Sequence, residues 1–358
     1  MYNNTAQFSQ RLVDWYRANK KILPWRENVT PYSTWISEIM LQQTVVTTVI
    51  PYFKKWMDNY PGIDILEKAS EENILRLWEG LGYYSRAQNI LKTARILASQ
   101  YACRIPDNYL ELIKLPGIGE YTASAILSIA FHQRVPLIDA NVRRIGQRLF
   151  NLPEWTKPAR QTVQDFFEKT IPAESPGDFN QGLMELGQTI CTKSGMKCHL
   201  CPVISFCQAK KADNQHNIPV LKKKAIIHKS SLLLIFLLKY KIYVCKPKIG
   251  VLKNLWGFPR IGLDIQTECR SQIETILHQY NFNKTARIKT HNHFYTKYKD
   301  TLYPYICFLS SENEIPDPFK KLGEGRWISH KQIIEFPFPS IYRKIFKNLQ
   351  KLTGFDFT

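Results

Sequence analysis

The 358-residue chain has no apolar run long enough to cross a bilayer. The longest, Leu232–Leu238, ends at Lys239, far short of the roughly 20 residues a spanning helix needs. A membrane-spanning helix is therefore not expected, and the run reads as a buried strand. The N-terminus, "MYNNTAQFSQRLVDWYRANKK", is amphipathic and lacks the continuous apolar core of a signal peptide. The expectation is a cytoplasmic, reducing location, where clustered thiols become metal ligands rather than disulfides. Acidic residues are scarce, 30 against 49 Lys and Arg, for a formal net charge of +19. That excess favours a polyanion partner, nucleic acid being the commonest, over a protein that is basic only for solubility. Internal repeats and low-complexity segments are missing, so a repeat array is excluded.

Strand-like segments are absent before residue 220, where helix follows helix. "TPYSTWISEIMLQQTVVTTVIPYFKKWMDNY" carries Trp35, Ile36, Ile39 and Met40 at helical spacing, between a Thr30-Pro31 start and a Pro61-Gly62 stop. "SEENILRLWEGLGYYSRAQNILKTARILASQY" opens on a Ser70 cap with acids in its first turn, and Gly80 and Gly82 divide it. Residues 209–228 are polar and basic, with Pro219 among them, and read as a linker. Beyond it, β-branched and aromatic runs alternate with helical spacing. The expected fold is multi-domain: an all-α region over 1–208, the linker, and a small α+β domain over 229–358.

Three constellations carry chemistry. In "IKLPGIGEYTASAILSIA", Gly117 and Gly119 permit a tight turn that leaves backbone N–H groups bare at a helix start, where a DNA phosphate can sit. Taken alone, the turn serves a purely packing hairpin equally well. The second is a pair of carboxylates: Glu38 among apolar neighbours in "WISEIMLQQT", and Asp139 at the N-cap position of "IDANVRRIGQRLF". Singly, each reads as a solvated glutamate or a plain cap. Together, an acid made weaker by burial and a carboxylate held charged by a helix start form the pairing that cleaves a glycosidic bond. The third gathers four of the eight cysteines, Cys191, Cys198, Cys201 and Cys207, as C-x6-C-x2-C-x5-C. Zinc ribbons usually present two close pairs; this staggered spacing favours a [4Fe-4S] cluster. Cys103, Cys245, Cys269 and Cys307 are scattered and read as ordinary thiols.

Taken in order, "SEIMLQQT", "GLGYYSRAQNI", "LPGIGEYTASAILS", "IDANVRR", "FNQGLMELG" and the cysteine spacing resemble the MutY family of adenine DNA glycosylases, within the endonuclease III superfamily of helix-hairpin-helix enzymes. The resemblance runs from about residue 8 to 207. It implies a monofunctional glycosylase that removes adenine mispaired with 8-oxoguanine or guanine in double-stranded DNA. The position of the superfamily's Schiff-base lysine is Tyr121 here, which has no amine. The resemblance further implies Glu38 as general acid, Asp139 as stabiliser of the sugar cation, and Tyr121 and Asn141 as orienting residues. Gln42, Gln43, Thr44, Tyr83, Arg86, Gly117, Gly119, Lys193 and Lys197 are expected at the DNA. Gln43 and Tyr83 are the wedges beside the flipped base; outside its motif, Tyr83 would read as a core aromatic. A monomer is expected.

The C-terminal part resembles the MutT-like, Nudix-fold domain of the same family, through "NLWGFPR". Residues 262–290 lack the glutamate run that would hold magnesium, so binding without hydrolysis is expected. The family's lesion-reading tip falls on "HNHFYT", making His293, Phe294, Tyr295 and Thr296 the candidates; an exposed polar hairpin fits that stretch equally. Two other functions compete at this stage: an endonuclease III-like lyase on oxidised pyrimidines, and a non-catalytic iron–sulfur DNA binder.

Overall fold

The computed structural model describes residues 4–220, 225–248, 255–282, 284–295 and 297–353, without the side chains of His330 and Lys351. The chain divides into two compact units. One joins the chain up to Ala69 to Ser85–Lys222; the other joins Ser70–Tyr84 to the chain beyond Lys222. Residues 70–84 group with the later part of the chain, where Arg343 grips Glu79 at 2.5 and 2.9 Å and the Tyr84 hydroxyl donates to the Phe338 carbonyl.

The first unit is helical, as its spacing predicts. Thr30 caps the helix Pro31–Leu41 through a reciprocal capping box with Ser33. The expected single helix to residue 60 is instead two, Pro31–Leu41 and Val46–Asn59. Between them Gln43 takes φ +57°. The break has a tertiary cause: the Arg86 guanidinium donates to the carbonyls of Ile39, Met40 and Gln42, and to Thr44 Oγ1. It thereby satisfies helix-end acceptors that the chain could not pair locally. A core of Phe8, Leu12, Val142, Phe167, Phe179 and Leu183 joins the first helix to the helices Ala140–Leu149, Lys157–Thr170 and Pro176–Thr189.

The expected linker is mostly docked. Ala209, Gln215 and Ile218 are buried, and the Val220 N–H donates to the Pro153 carbonyl. Polar composition concealed a segment held by its backbone. Residues 221–224, the basic core of that stretch, lie outside the described residues.

The second unit is α+β. Its strands are β1 (Ile227–Leu238), β2 (Lys241–Pro247), β3 (Arg260–Leu263), β4 (Thr285–Arg287), β5 (His291–Tyr295), β6 (Tyr298–Phe308) and β7 (Gly323–Ser329). They form one sheet ordered β4-β6-β1-β2-β7, with β3 also on β1 and β5 on β6. β1 and β6 run parallel from Ile227↔Tyr298 to Leu237↔Phe308. The apolar run is β1, buried on both faces: Leu233, Ile235 and Leu237 pack with Trp256 and Tyr342, and Leu232, Leu234 and Phe236 with Ile273 and Phe319. A strand covered on both sides needs no polar alternation.

Candidate active site

A cavity of about 820 Å³ in the helical unit collects Glu38, Tyr121, Asp139 and Asn141, along with Gln42, Gln43, Thr44 and Gly119. The two acids, a hundred residues apart in the chain, face one space.

Glu38 lies near the end of its helix, 5 % exposed, and accepts a hydrogen bond from Tyr121 Oη at 2.5 Å. Burial raises its pKa from 4.5 to about 7. The Tyr121 hydrogen bond and the more distant Arg26 pull it down, and the negative Asp139 pushes it up. The phenol of Tyr121 is itself buried and held well above its usual range, so it remains a donor. It also touches Met184 Sδ at 3.2 Å.

Asp139 is the N-cap of Ala140–Leu149. Oδ1 accepts the N–H groups of Asn141 and Val142 at 2.8 and 2.7 Å, and Oδ2 accepts Asn141 Nδ2 at 2.8 Å. Asn141 is held in turn by Arg144, whose guanidinium donates to Asn141 Oδ1, the Gly187 carbonyl and the Cys191 carbonyl. Gly187 is required there, since a Cβ on it would stand 2.6 Å from Asn141 Cβ.

Arg148 continues the same helix to the cysteine loop, donating to Cys191 Sγ at 3.2 Å and to the Thr192 carbonyl. Cys191, Cys198, Cys201 and Cys207 are all free and half-buried. Among the described residues no three His, Cys, Asp or Glu side chains are gathered to hold one metal ion. The donor set, four thiols with a guanidinium beside one of them, fits the cluster.

Several residues expected at DNA are placed as exposed groups: Gln43, Lys193 and Lys197 in the helical unit, and Tyr83, 39 % exposed, in the other. Gln42 reaches Thr122 Oγ1 at 3.3 Å on the cavity wall. Arg86, also expected at DNA, is 7 % exposed, and its guanidinium donates to the carbonyls of Ile39, Met40 and Gln42, so it shapes the loop after Glu38. Of the two glycines, Gly117 alone has a left-handed φ, +81°, and a side chain on it would strike Asn89. Gly119 is the N-cap of Glu120–Ala125, and a Cβ there would meet nothing within 4 Å.

Residues that sequence reading missed complete the cavity. Glu185, 4 % exposed, is paired with Lys21 at 2.9 Å and Arg26 at 3.2 Å; Arg26 also donates to Gln181. The signal was present: Gln181, Met184, Glu185 and Gln188 recur at helical spacing on one face, and all four line the cavity.

In the sheet unit, pleating separates the lesion-reading candidates. His293 and Tyr295 are half-buried, whereas Phe294 between them is 64 % exposed. The Tyr295 hydroxyl, expected to face a lesion, donates to buried Asp300 at 3.4 Å. Thr296 lies outside the described residues.

The helical unit with its buried acid, capped aspartate and glycine turn defines a class. Residues 36–172 match the HhH-GPD superfamily of base excision DNA repair proteins. A thermostable thymine-DNA glycosylase superposes with TM-score 0.55 and 26 % identity over 59 % of this chain and 98 % of that one. Endonuclease III in a trapped covalent DNA complex shares the fold, with TM-score 0.51 and 22 % identity over 60 % of this chain and 98 % of that one.

Within that class the chain belongs to the adenine DNA glycosylases. The adenine DNA glycosylase of Buchnera aphidicola subsp. Schizaphis graminum is 36 % identical over 94 % of this chain and 97 % of its own. That of Homo sapiens is 39 % identical over 59 % of this chain and 41 % of its own.

Proposed function

We propose that the chain removes adenine mispaired with 8-oxoguanine or guanine, acting as a monofunctional glycosylase on double-stranded DNA in the cytosol. The observation that carries the reading is one cavity holding a buried, weakly acidic Glu38 beside a capped Asp139.

The adenine nucleotide is extruded from the stack, at a cost of about a few kcal/mol, while a wedge such as Gln43 fills the gap. Glu38, able to hold a proton near neutral pH, donates it to N7 of the base. The C1′–N9 bond breaks with its electrons going to adenine, and the sugar is left as an oxocarbenium ion. Asp139, fixed by three donors, offers that cation a carboxylate. Water adds at C1′ and its proton returns to Glu38, leaving an abasic site and neutral adenine. Tyr121 orients Glu38 and supplies no amine, so strand cleavage through a Schiff base is not part of the reaction. Glu185, braced by Lys21 and Arg26, shapes the wall of the cavity that receives the base.

Cys191, Cys198, Cys201 and Cys207 hold a [4Fe-4S] cluster, which supplies rigidity to the loop; glycosidic hydrolysis needs no electron. That loop offers Lys193 and Lys197 to the DNA backbone, as the bare N–H groups after Gly117 and Gly119 also do. A brown colour with iron bound to the purified chain supports this; a colourless zinc protein rejects it.

The deciding experiment is a single-turnover assay on a duplex with adenine opposite 8-oxoguanine, with and without alkali. Glu38→Gln is expected to lower base release by about 10²–10⁴-fold while duplex binding persists. An unchanged rate removes Glu38 from the mechanism. Nicking by the unmodified chain without alkali restores the lyase alternative.

A further inference from the structure

All four residues of the loop 42–45 line the cavity that holds Glu38. The loop does little to hold itself. Val45, the N-cap of the helix Val46–Asn59, makes no side-chain cap, and Gln43 is exposed at φ +57°. A residue with a side chain stays in that left-handed region only where its surroundings impose it. The cause has to lie outside the loop.

Arg86, near the start of the helix Ser85–Gln100, supplies it. Nη1 donates to the carbonyls of Ile39, Met40 and Gln42 at 2.9, 2.9 and 2.6 Å, and Nη2 to Thr44 Oγ1 at 3.2 Å. Three acceptors precede Gln43 and one follows it, so a single rigid fork fixes the chain on both sides of that residue. Gln42 is tied a second time, its amide donating to Oγ1 of Thr122, the neighbour of Tyr121. Arg86 itself lies outside the cavity lining, and its charge is aimed at the backbone behind it. Ordering the loop before DNA arrives removes an entropy cost that binding would otherwise meet.

We propose that Arg86 is a positioning residue for base extrusion. It presets the backbone at Gln43, so that this side chain enters the duplex without rearrangement of the loop. The inference rests on the reading of Gln43 as a wedge and extends it to a residue that touches neither base nor phosphate. The effect of Arg86 passes through Gln43 and precedes the bond-breaking step at Glu38 and Asp139.

The test is single-turnover release of adenine opposite 8-oxoguanine by the full chain carrying Arg86→Lys, Gln43→Ala or both. Lysine keeps the charge and loses the fork. Each single variant is expected to slow release about three- to tenfold, and the pair no more than Gln43→Ala alone. The fluorescence rise of 2-aminopurine at the target position, which reports unstacking, is expected to fall with them, while affinity for undamaged duplex changes less than about twofold. Thr44→Val removes the acceptor that follows Gln43 and carries the test if Arg86→Lys misfolds. Its expected loss is about two- to threefold, and that loss also vanishes in the Gln43→Ala background. Losses that multiply in the double variant overturn the proposal, since Arg86 then acts by another route, as a purely structural residue would. Full-rate release by Arg86→Lys beside slow release by Gln43→Ala overturns it too and leaves the wedge standing. Full-rate release by Gln43→Ala removes the wedge itself, and the proposal with it.

Discussion

Glu38 and Asp300 are both buried carboxylates, one in each unit, and they have opposite fates. Asp300, 0 % exposed, is met by Arg260, Ser231 and Tyr295. Glu38 has a phenol and, among the described residues, no ion pair; its acidity is moved to about 7. Glu185, in the same cavity as Glu38, sharpens the contrast, since Lys21 and Arg26 both hold it. Burial is common to all three. The presence or absence of a cation decides which of them is a brace and which can give up a proton at neutral pH.

The comparison breaks most visibly where the brace is cut. Arg260→Ala strands Asp300 as an uncompensated buried charge and is expected to cost the sheet unit about 3–5 kcal/mol. Chemical denaturation of the full chain checks it, and an unshifted midpoint would refute the bracing role. The same treatment of Glu38 has the opposite sign. Its pKa rises from 4.5 unfolded to about 7 folded, so the folded state binds more protons between those values. Stability from this group is complete below about pH 4.5, declines as pH rises towards 7 and is flat above. Glu38→Gln removes that loss and is expected to be about 2–3 kcal/mol more stable than the unmodified chain at pH 8, though inactive. Equal stability of the two at pH 8 would show that Glu38 is not burdened by its burial.

The kinetic counterpart is a kcat/KM that holds steady below pH 7 and falls about tenfold per unit above it, as the acid loses its proton. A profile still rising at pH 8 would contradict Glu38 as proton donor. The smallest effect belongs to the exposed loop. Lys193→Gln with Lys197→Gln is expected to lower duplex affinity several-fold and to flatten the salt dependence, by about one unit of slope for each phosphate no longer neutralised. An unaltered slope would detach the cysteine loop from DNA.

Much of the site was legible because its parts are local. Asp139 caps the helix that its own neighbours form, and the Thr30 and Ser70 caps follow the same logic. Glu38 was legible through its apolar surroundings, which predict burial and hence a weaker acid. The interior role of Arg86 could not be read from its motif. Its actual partners are the carbonyls of Ile39, Met40 and Gln42, on a helix end that local periodicity runs straight through. Glu185 was overlooked for a similar reason, as its cations come from the beginning of the chain. The polar stretch 209–220 looked like a tether, and hydrogen bonds such as Arg148 to the Ile218 carbonyl bind it down.

From its own order of residues, this protein specifies helix starts, the doubly buried strand β1, the thiol spacing and the two carboxylates proposed for the chemistry. These depend on neighbours within a turn or two, or on side-chain type alone. Tertiary structure decides which buried carboxylate receives a cation, where the Glu38 helix stops, and with which unit residues 70–84 reside. Each of those depends on a desolvated charge or an unpaired backbone group finding its counterpart, and that counterpart lies dozens or hundreds of residues away along the chain.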